Sequence, residues 1–444
     1  SLLLPSTTMF EVREKPEMVE RALLVRLSFN RREEDEDIAL LEELGELVST
    51  LGIGVVELQL AHSRAMHRKY LCGTGKAAEI CELAHAHECD CIVFDNQLAP
   101  SQQREWEELT QLCVIDREEV ILDIFAKRAQ TKEATLQVEL ARMQYALPRM
   151  ARMWGHLDRE AGSATSGGGG ASRGMGEMQV EVDRRLARKR IDRTKRELAA
   201  VRTQRTTRRK EREKNDIPLA AIVGYTNSGK STLLNTISGA DILAKDMLFA
   251  TLDTTTRSTE LPDGQTLLLT DTVGFIRNLP HRLVEAFKST LEESVLAEFL
   301  IHVLDASDLR ALEFYKTTMH VLSELGAEEK PMIVVLNKID KVDDPKILEN
   351  LQEQLPNTLL LSAKNGVGID ELQNQCSVML ADRVRSLCYR IPQTRGDLTA
   401  LLHKETKVLS TEYEGNDILI TAIVPSIISG RLKEFLEADS TSNS

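Results

Sequence analysis

The sequence predicts an α/β protein in four parts: a small α/β domain (residues 1–130), a helical hairpin (131–214), a larger parallel-sheet domain (215–386) and a small α+β domain (387–444). Three observations predict it. First, the octet Gly224-Tyr-Thr-Asn-Ser-Gly-Lys-Ser231 lies between a short apolar run, Pro218–Val223, and a stretch that opens a helix. Second, strand-like and helix-like runs alternate between residues 19 and 130, the pattern of a parallel sheet. Third, apolar runs in the second half of the chain each end in a short polar motif, where α/β sheets hold ligands.

At 444 residues the chain has room for several domains with sizeable cores. No apolar stretch approaches a membrane span and no basic-apolar leader stands at the start, so a cytoplasmic protein is expected. Ser1 need not be the native start, which leaves an organellar location open. Seven cysteines without disulfide-like spacing suggest a reducing interior. A net charge of −13 argues against an indiscriminate nucleic-acid coat, and no DNA partner is expected. Yet between Arg184 and Lys214, 15 of 31 residues are Lys or Arg and four are acidic, which points to one localised polyanion contact.

In the first part, Ala22–Leu27 and Ile53–Leu60 read as strands with a helix from about Asp35 to Leu51 between them. Cys91–Phe94 is a further strand and a helix follows from Pro100. Gly73-Thr-Gly-Lys76 is either a fragment of a nucleotide loop or an ordinary strand-to-helix turn. Cys81, His85, His87, Cys89 and Cys91 meet neither usual zinc spacing and read as buried thiols and surface histidines.

A helical pattern from Thr131 to about Trp154 is expected to break at Pro148. Gly162–Gly176, with seven glycines in 15 residues, predicts a flexible tip, and a second helix starts near Glu177 with Met178, Val182 and Leu186 spaced four apart. Arginines on that helix suit RNA phosphates, with the bare loop backbone approaching a nucleic-acid surface; a solvated helix face and a plain linker form the simpler alternative. After Leu387, short strand-like runs at Tyr389–Pro392, Val408–Tyr413 and Asp417–Val424 precede a helix near Gly430–Leu436 and a disordered tail.

The octet has the form G-x-x-x-x-G-K-S, whose backbone N–H groups cradle phosphates at a helix N-terminus. Its residues Gly224, Tyr225, Thr226, Asn227, Ser228, Gly229, Lys230, Ser231 and the following Thr232 are nucleotide-binding candidates. Lys230 would reach the β- and γ-phosphates and Ser231 would place its hydroxyl on Mg²⁺. Chance supplies such an octet in roughly 2% of chains this long, so the remaining motifs decide.

Asp271, Thr272, Val273 and Gly274 follow the run Thr266–Thr270, placing a carboxylate for Mg²⁺ and a glycine N–H for the γ-phosphate. Asn337, Lys338, Ile339 and Asp340 follow Met332–Leu336, and Asp340 can accept both N1–H and N2–H of guanine, donors that adenine lacks. Ser362, Ala363 and Lys364 can offer N–H groups to guanine O6. Phe249, Ala250, Thr251, Leu252 and Asp253 supply Thr251 as a second hydroxyl for Mg²⁺, on a loop that orders with the γ-phosphate. The set in this order predicts a P-loop GTPase domain, with GTP as substrate, Mg²⁺ as cofactor, and Lys230, Thr251 and Gly274 acting in hydrolysis.

At these residues the chain resembles the HflX family of ribosome-associated GTPases, over most of residues 70 to 436. The resemblance is carried by Phe249–Arg257, Asp271–Ile276, Leu279-Pro280 and Ala286–Glu293. Before the GTPase domain it is carried by Phe94–Gln102, Ile121–Ala126, Leu136–Ala141 and Arg173–Glu177. Thr254 stands where the family usually has proline, and Met175 and Met178 replace a commoner Pro and Thr, which affects loop stiffness. The resemblance implies binding to the large ribosomal subunit and its RNA, with the hairpin and N-terminal domain reaching toward the peptidyl-transferase centre. It also implies ribosome splitting under stress in some members and ATP binding by the N-terminal domain in others.

Phe275 occupies the position where Ras-like switches carry a water-orienting glutamine, so slow intrinsic turnover and stimulation by the ribosome are expected of a protein taken to be a monomer. Three alternatives stay open: a regulatory GTPase acting on a protein effector, an ATP-driven RNA-remodelling enzyme working from the N-terminal domain, and a factor for subunit biogenesis.

Overall fold

The computed structural model describes residues 19–150, 171–214, 217–239, 248–249, 252, 255–278 and 293–437. The chain forms two compact units. One comprises Ser1–Thr203 with Met247–Phe249 and Arg277–Phe287; the other comprises Gln204–Asp246, Ala250–Ile276 and Lys288–Ser444.

The first unit contains a parallel sheet in the order β2-β1-β3-β4, from β1 (Arg21–Ser28), β2 (Gly54–His62), β3 (Cys91–Phe94) and β4 (Cys113–Asp116). Ala22–Val25 and Cys91–Phe94 are fully buried, as central strands covered on both faces require. Around the sheet lie α1 (Glu34–Thr50), α2 (Thr74–Ala86), α3 (Pro100–Thr110) and α4 (Arg117–Arg128). Glu34, Asp35, Glu36 and Asp37 crowd the first turn of α1, where the helix dipole favours negative charge. β4 and α4 go beyond the sequence-based expectation because no turn residue separates them. Asp116 ends the strand and caps the helix at once, accepting from the Glu119 N–H at 3.1 Å.

Gly73–Lys76 forms the start of α2, and Lys76 pairs with Glu79 one turn on. His87 pairs with Glu57 at 2.8 Å, while Cys89 and Cys91 are buried free thiols. Among the described residues no three His, Cys, Asp or Glu side chains are placed to hold a metal ion.

The hairpin differs from expectation in both of its helices. Helix α5 (Lys132–Met150) runs through Pro148 rather than breaking there. Pro148 costs the helix one hydrogen bond, the one its missing N–H would give to the Gln144 carbonyl. Arg149 secures this part of the helix: its guanidinium donates to the carbonyls of Tyr145 (3.1 Å) and Leu98 (3.0 Å) and lies 3.4 Å from the Tyr145 ring centre. Helix α6 is described over Ala171–Lys214 and is already helical before Glu177, so Arg173–Glu177 is helical, and residues 162–170 of the expected tip lie outside the described residues. The seam also differs. Ala187, Ile191, Thr194 and Leu198 are buried, and Ile191 and Leu198 meet Leu136 and Leu140 of α5. Val182 and Leu186 are exposed, because strict steps of four drift off a 3.6-residue period.

The second unit holds a six-stranded sheet, order β10-β9-β8-β5-β7-β6. Its strands are β5 (Leu219–Gly224), β6 (Thr255–Glu260), β7 (Thr266–Asp271), β8 (Phe299–Asp305), β9 (Met332–Asn337) and β10 (Thr358–Leu360). All neighbours are parallel except β6, which runs antiparallel to β7. The helices described with it are α7 (Lys230–Ile237), α8 (Ala311–Glu324), α9 (Pro345–Gln354) and α10 (Ile369–Met379). Neither β6 nor β8 was anticipated: β6 is a polar edge strand, Thr-Thr-Arg-Ser-Thr-Glu, and His302 interrupts the apolar run of β8.

A smaller antiparallel sheet, order β11-β13-β12, ends this unit: β11 (Val384–Pro392), β12 (Lys407–Glu414) and β13 (Asp417–Pro425). Helices α11 (Gly396–Glu405) and α12 (Ser426–Arg431) accompany it, around a core of Tyr389, Ile391, Leu402, Ile420, Val424 and Leu432. α11 was not expected, and the last helix precedes the expected Gly430–Leu436, whose place is taken partly by a 3₁₀ turn at Lys433–Phe435. Residues 437–444 are expected to be disordered; Glu437 is instead held, donating its N–H to the Cys388 carbonyl at 2.9 Å and pairing with Arg390, and 438–444 lie outside the described residues. No helix among the described residues is long and apolar enough to cross a membrane.

Candidate nucleotide-binding site

Five strand ends and one helix start converge at the carboxyl edge of the six-stranded sheet. β5 feeds the loop Tyr225–Gly229, which enters α7 at Lys230. Gly229 has φ +96° and a Cβ there would lie 2.2 Å from Asn337 Nδ2, so a side chain is excluded both by backbone and by space. Lys230 is buried and donates to the Tyr225 carbonyl at 2.8 Å. Burial pushes its amine down to about 8, against the opposing attraction of Asp271.

Ser231 donates its hydroxyl to Asp271 at 2.6 Å, bringing together a loop hydroxyl and the carboxylate at the end of β7. Two hard oxygen donors at the exit of a phosphate loop fit Mg²⁺. Past Asp271, Thr272 turns inward and donates to the Ile222 carbonyl at 2.8 Å, so its side chain is structural. Gly274 touches the loop: a Cβ there would meet Thr226 Cα at 2.8 Å and Lys230 Nζ at 3.0 Å. Phe275 continues this contact through its backbone, accepting from Thr226 N–H (2.7 Å) and donating to the Gly224 carbonyl (3.1 Å). Its ring is buried with Ala221, Val223 and Leu300. Phe275 is therefore a core residue; it does not stand in for a water-orienting glutamine.

Asn337 binds the other loops to this one. Its amide donates to the Ser228 carbonyl at 2.8 Å, and its carbonyl accepts the Ala363 N–H at 3.0 Å. Lys338, in the left-handed region at φ +63°, donates to the Asn227 carbonyl (2.7 Å) and pairs with Asp305 (2.7 Å) at the end of β8. The Ser362 hydroxyl donates to Asp340, and this bond holds the exposed carboxyl below its ordinary value. Of the N–H groups at 362–364, that of Ser362 goes to the Val367 carbonyl and that of Ala363 to Asn337. Lys364 thus offers the remaining N–H for a base oxygen.

Other candidates are placed differently. Tyr225 props the loop from beneath, stacking on Phe314 with centroids 3.9 Å apart. Leu252 is buried, and Phe249 is buried with its ring edge-on to Phe125 at 4.8 Å. Ala250, Thr251 and Asp253 lie outside the described residues. Sequence reasoning missed Asp305 and the Ser362–Asp340 bond. Asp305 ends an apolar run as Asp271 and Asn337 do, which is the signal that would have found it.

The chain is similar to known proteins over most of its length. Residues 39–126 match the family described as GTP-binding GTPase N-terminal, 128–212 its middle region, and 219–338 the 50S ribosome-binding GTPase family. The GTPase HflX of Akkermansia muciniphila is 61% identical over 434 residues, covering 96% of this chain and 99% of that protein. This chain belongs to the HflX family of GTPases. The Escherichia coli HflX is 43% identical over 387 residues, covering 87% of this chain and 88% of that one. A solved structure described as an SsGBP–GDP complex is 25% identical with a TM-score of 0.43, covering 82% of this chain and 99% of that one.

Proposed function

We propose that this chain is a GTP switch that associates with the large ribosomal subunit, and that it acts in splitting or rescue of ribosomes under stress or in subunit biogenesis. The observation that carries the reading is the match of residues 219–338 to a family described as 50S ribosome-binding GTPases. The exposed Arg185, Arg188, Lys189, Arg193, Lys195 and Arg196 on α6 support it, because they form a charged face suited to RNA phosphates.

In this reading Lys230 and the loop N–H groups bind the phosphates, while Ser231, Asp271 and Thr251 would hold Mg²⁺, which would neutralise charge on the phosphate oxygens. Gly274 brings an N–H to the γ-phosphate, and Asp340, oriented by Ser362, accepts the guanine N–H pair. With the Phe275 ring in the core, no glutamine orients the attacking water, which favours slow turnover until the ribosome orders the loops.

Co-sedimentation with purified large subunits, in a GTP analogue and in GDP, together with turnover with and without subunits, tests the proposal. Analogue-dependent binding with stimulated turnover is expected. Equal turnover with and without subunits, and no binding, would leave a GTPase whose effector is a protein.

A further inference from the structure

We propose that Phe314 of α8 is a positioning residue for phosphate binding, seating the loop Tyr225–Gly229 in its binding form before the nucleotide arrives. No motif of the sequence lies on α8, yet the helix meets the loop from beneath. Phe314 is 7% exposed and Tyr225 is 4% exposed. Their rings lie flat on each other, with centroids 3.9 Å apart and planes 11° from parallel. Aromatic pairs more often sit about 4.5–7 Å apart, so these rings overlap closely and neither tilts without moving the other. The Arg310 guanidinium stands 5.3 Å from the centre of the Phe314 ring. Arg310 is itself held by Asp308 through two bonds of 3.1 Å, a fork that fixes its plane.

One peptide unit links the Tyr225 ring to the phosphate contacts. The Tyr225 carbonyl accepts from Lys230 Nζ at 2.8 Å and from the Ser228 N–H at 3.3 Å. The backbone on either side is paired with Phe275: Gly224 accepts the Phe275 N–H at 3.1 Å, and Thr226 donates to the Phe275 carbonyl at 2.7 Å. Tyr225 is thus pinned through its backbone by the chain after β7 and through its ring by α8. The loop leading into α8 adds a second tie. Asp305, three residues before Asp308, pairs with Lys338, which donates to the Asn227 carbonyl at 2.7 Å. Asn227 stands in the left-handed region at φ +59°, a conformation that surrounding contacts must hold. A loop held in this form loses less conformational entropy when phosphates bind. GDP and GTP both present the phosphates that such a loop meets, so the seat raises affinity for both. The guanine contacts belong to the loops after β9 and β10, so the nucleoside alone gains nothing from it.

This inference rests on the site binding guanine nucleotides through their phosphates, which GDP and GTP binding by the unmodified protein tests separately. Competition against a fluorescent GDP measures affinity for GTP, GDP and guanosine in the full chain. The variants are Phe314→Leu, which fills the space without a flat face, Phe314→Tyr, which keeps the face, Tyr225→Leu, and the double leucine variant. Melting midpoints identify any variant that is unfolded, and the Phe314 and Tyr225 variants break the stack from opposite sides. Both leucine variants should lose about tenfold in GDP and GTP affinity, the worth of one stacked pair, with guanosine affinity unchanged. Phe314→Tyr should restore binding, and the double variant should be no worse than either single. A ring that only fills the core would leave all three affinities unchanged in the folded variants. That result, an equal loss for guanosine, a persisting loss in Phe314→Tyr, or additive losses in the double would overturn the proposal.

Discussion

Ser362 aims its hydroxyl at Asp340, which turns an exposed carboxylate into an oriented acceptor and keeps it ionised. An amide at this position offers one donor where guanine already presents two. Asp340→Asn should lower GTP and GDP affinity by about 100-fold and raise affinity for xanthine nucleotides, whose 2-carbonyl accepts the new donor. Competition binding with the two nucleotide series measures both effects. Lys230 sets a pH dependence. Its amine is held at about 8 by burial, and a bound phosphate favours the charged form. Affinity should be flat below pH 8 and fall as pH rises toward the ordinary lysine value of 10.5. Titration calorimetry in buffers of different ionisation enthalpy should show proton uptake on binding above pH 8 and little at pH 6.5. That Lys230 and Asp340 stand just after β5 and β9 was legible in the sequence, since each motif follows directly on an apolar run. The bond from Ser362 to Asp340 was not, because the two lie on different loops that only sheet packing brings together.

At the scale of elements, α6 separates two tasks on one helix. Ala187, Ile191, Thr194 and Leu198 face inward, while the basic residues proposed for RNA contact face solvent. Changing Arg188, Lys189, Arg193 and Lys195 to Gln leaves the buried seam intact. If these residues meet phosphates, the salt dependence of large-subunit binding should lose a slope of about 3, from roughly 0.7–0.9 per contact. Sedimentation across a salt series reads this, and an unchanged slope would place the RNA contact elsewhere. The helix itself was legible from composition and period, but its extension before Glu177 and its seam were not. Gly174 and Gly176 suggest a break, yet propensity penalties of about 1 kcal/mol each are small beside the packing of a helix spanning Ala171–Lys214.

Over the whole molecule, the second unit carries a built-in sensitivity to acid. His302 of β8 is fully buried, stacked on Tyr315 at 5.1 Å, and neither ring nitrogen has a hydrogen-bond partner among the described residues. Burial pushes the imidazole down to about 3 from its ordinary 6.5. The folded state keeps it neutral while the unfolded chain takes up a proton below pH 6.5. Its contribution to stability is therefore complete above pH 6.5 and declines as pH falls toward 3. His302→Phe retains the stacking and should flatten the decline by on the order of 1 kcal/mol per pH unit between pH 6 and 4. Urea midpoints of the two proteins at several pH values test this.

The sequence alone determined the class of fold, the order of the nucleotide motifs and the family, because each is written in residue types at short, fixed spacing. Only the tertiary structure decided that Phe275 belongs to the core, that Asn337 ties three loops together, and that Tyr225 stacks on Phe314 of α8. Those are contacts between residues far apart in the chain, and local spacing carries no record of which distant partner a buried side chain will meet.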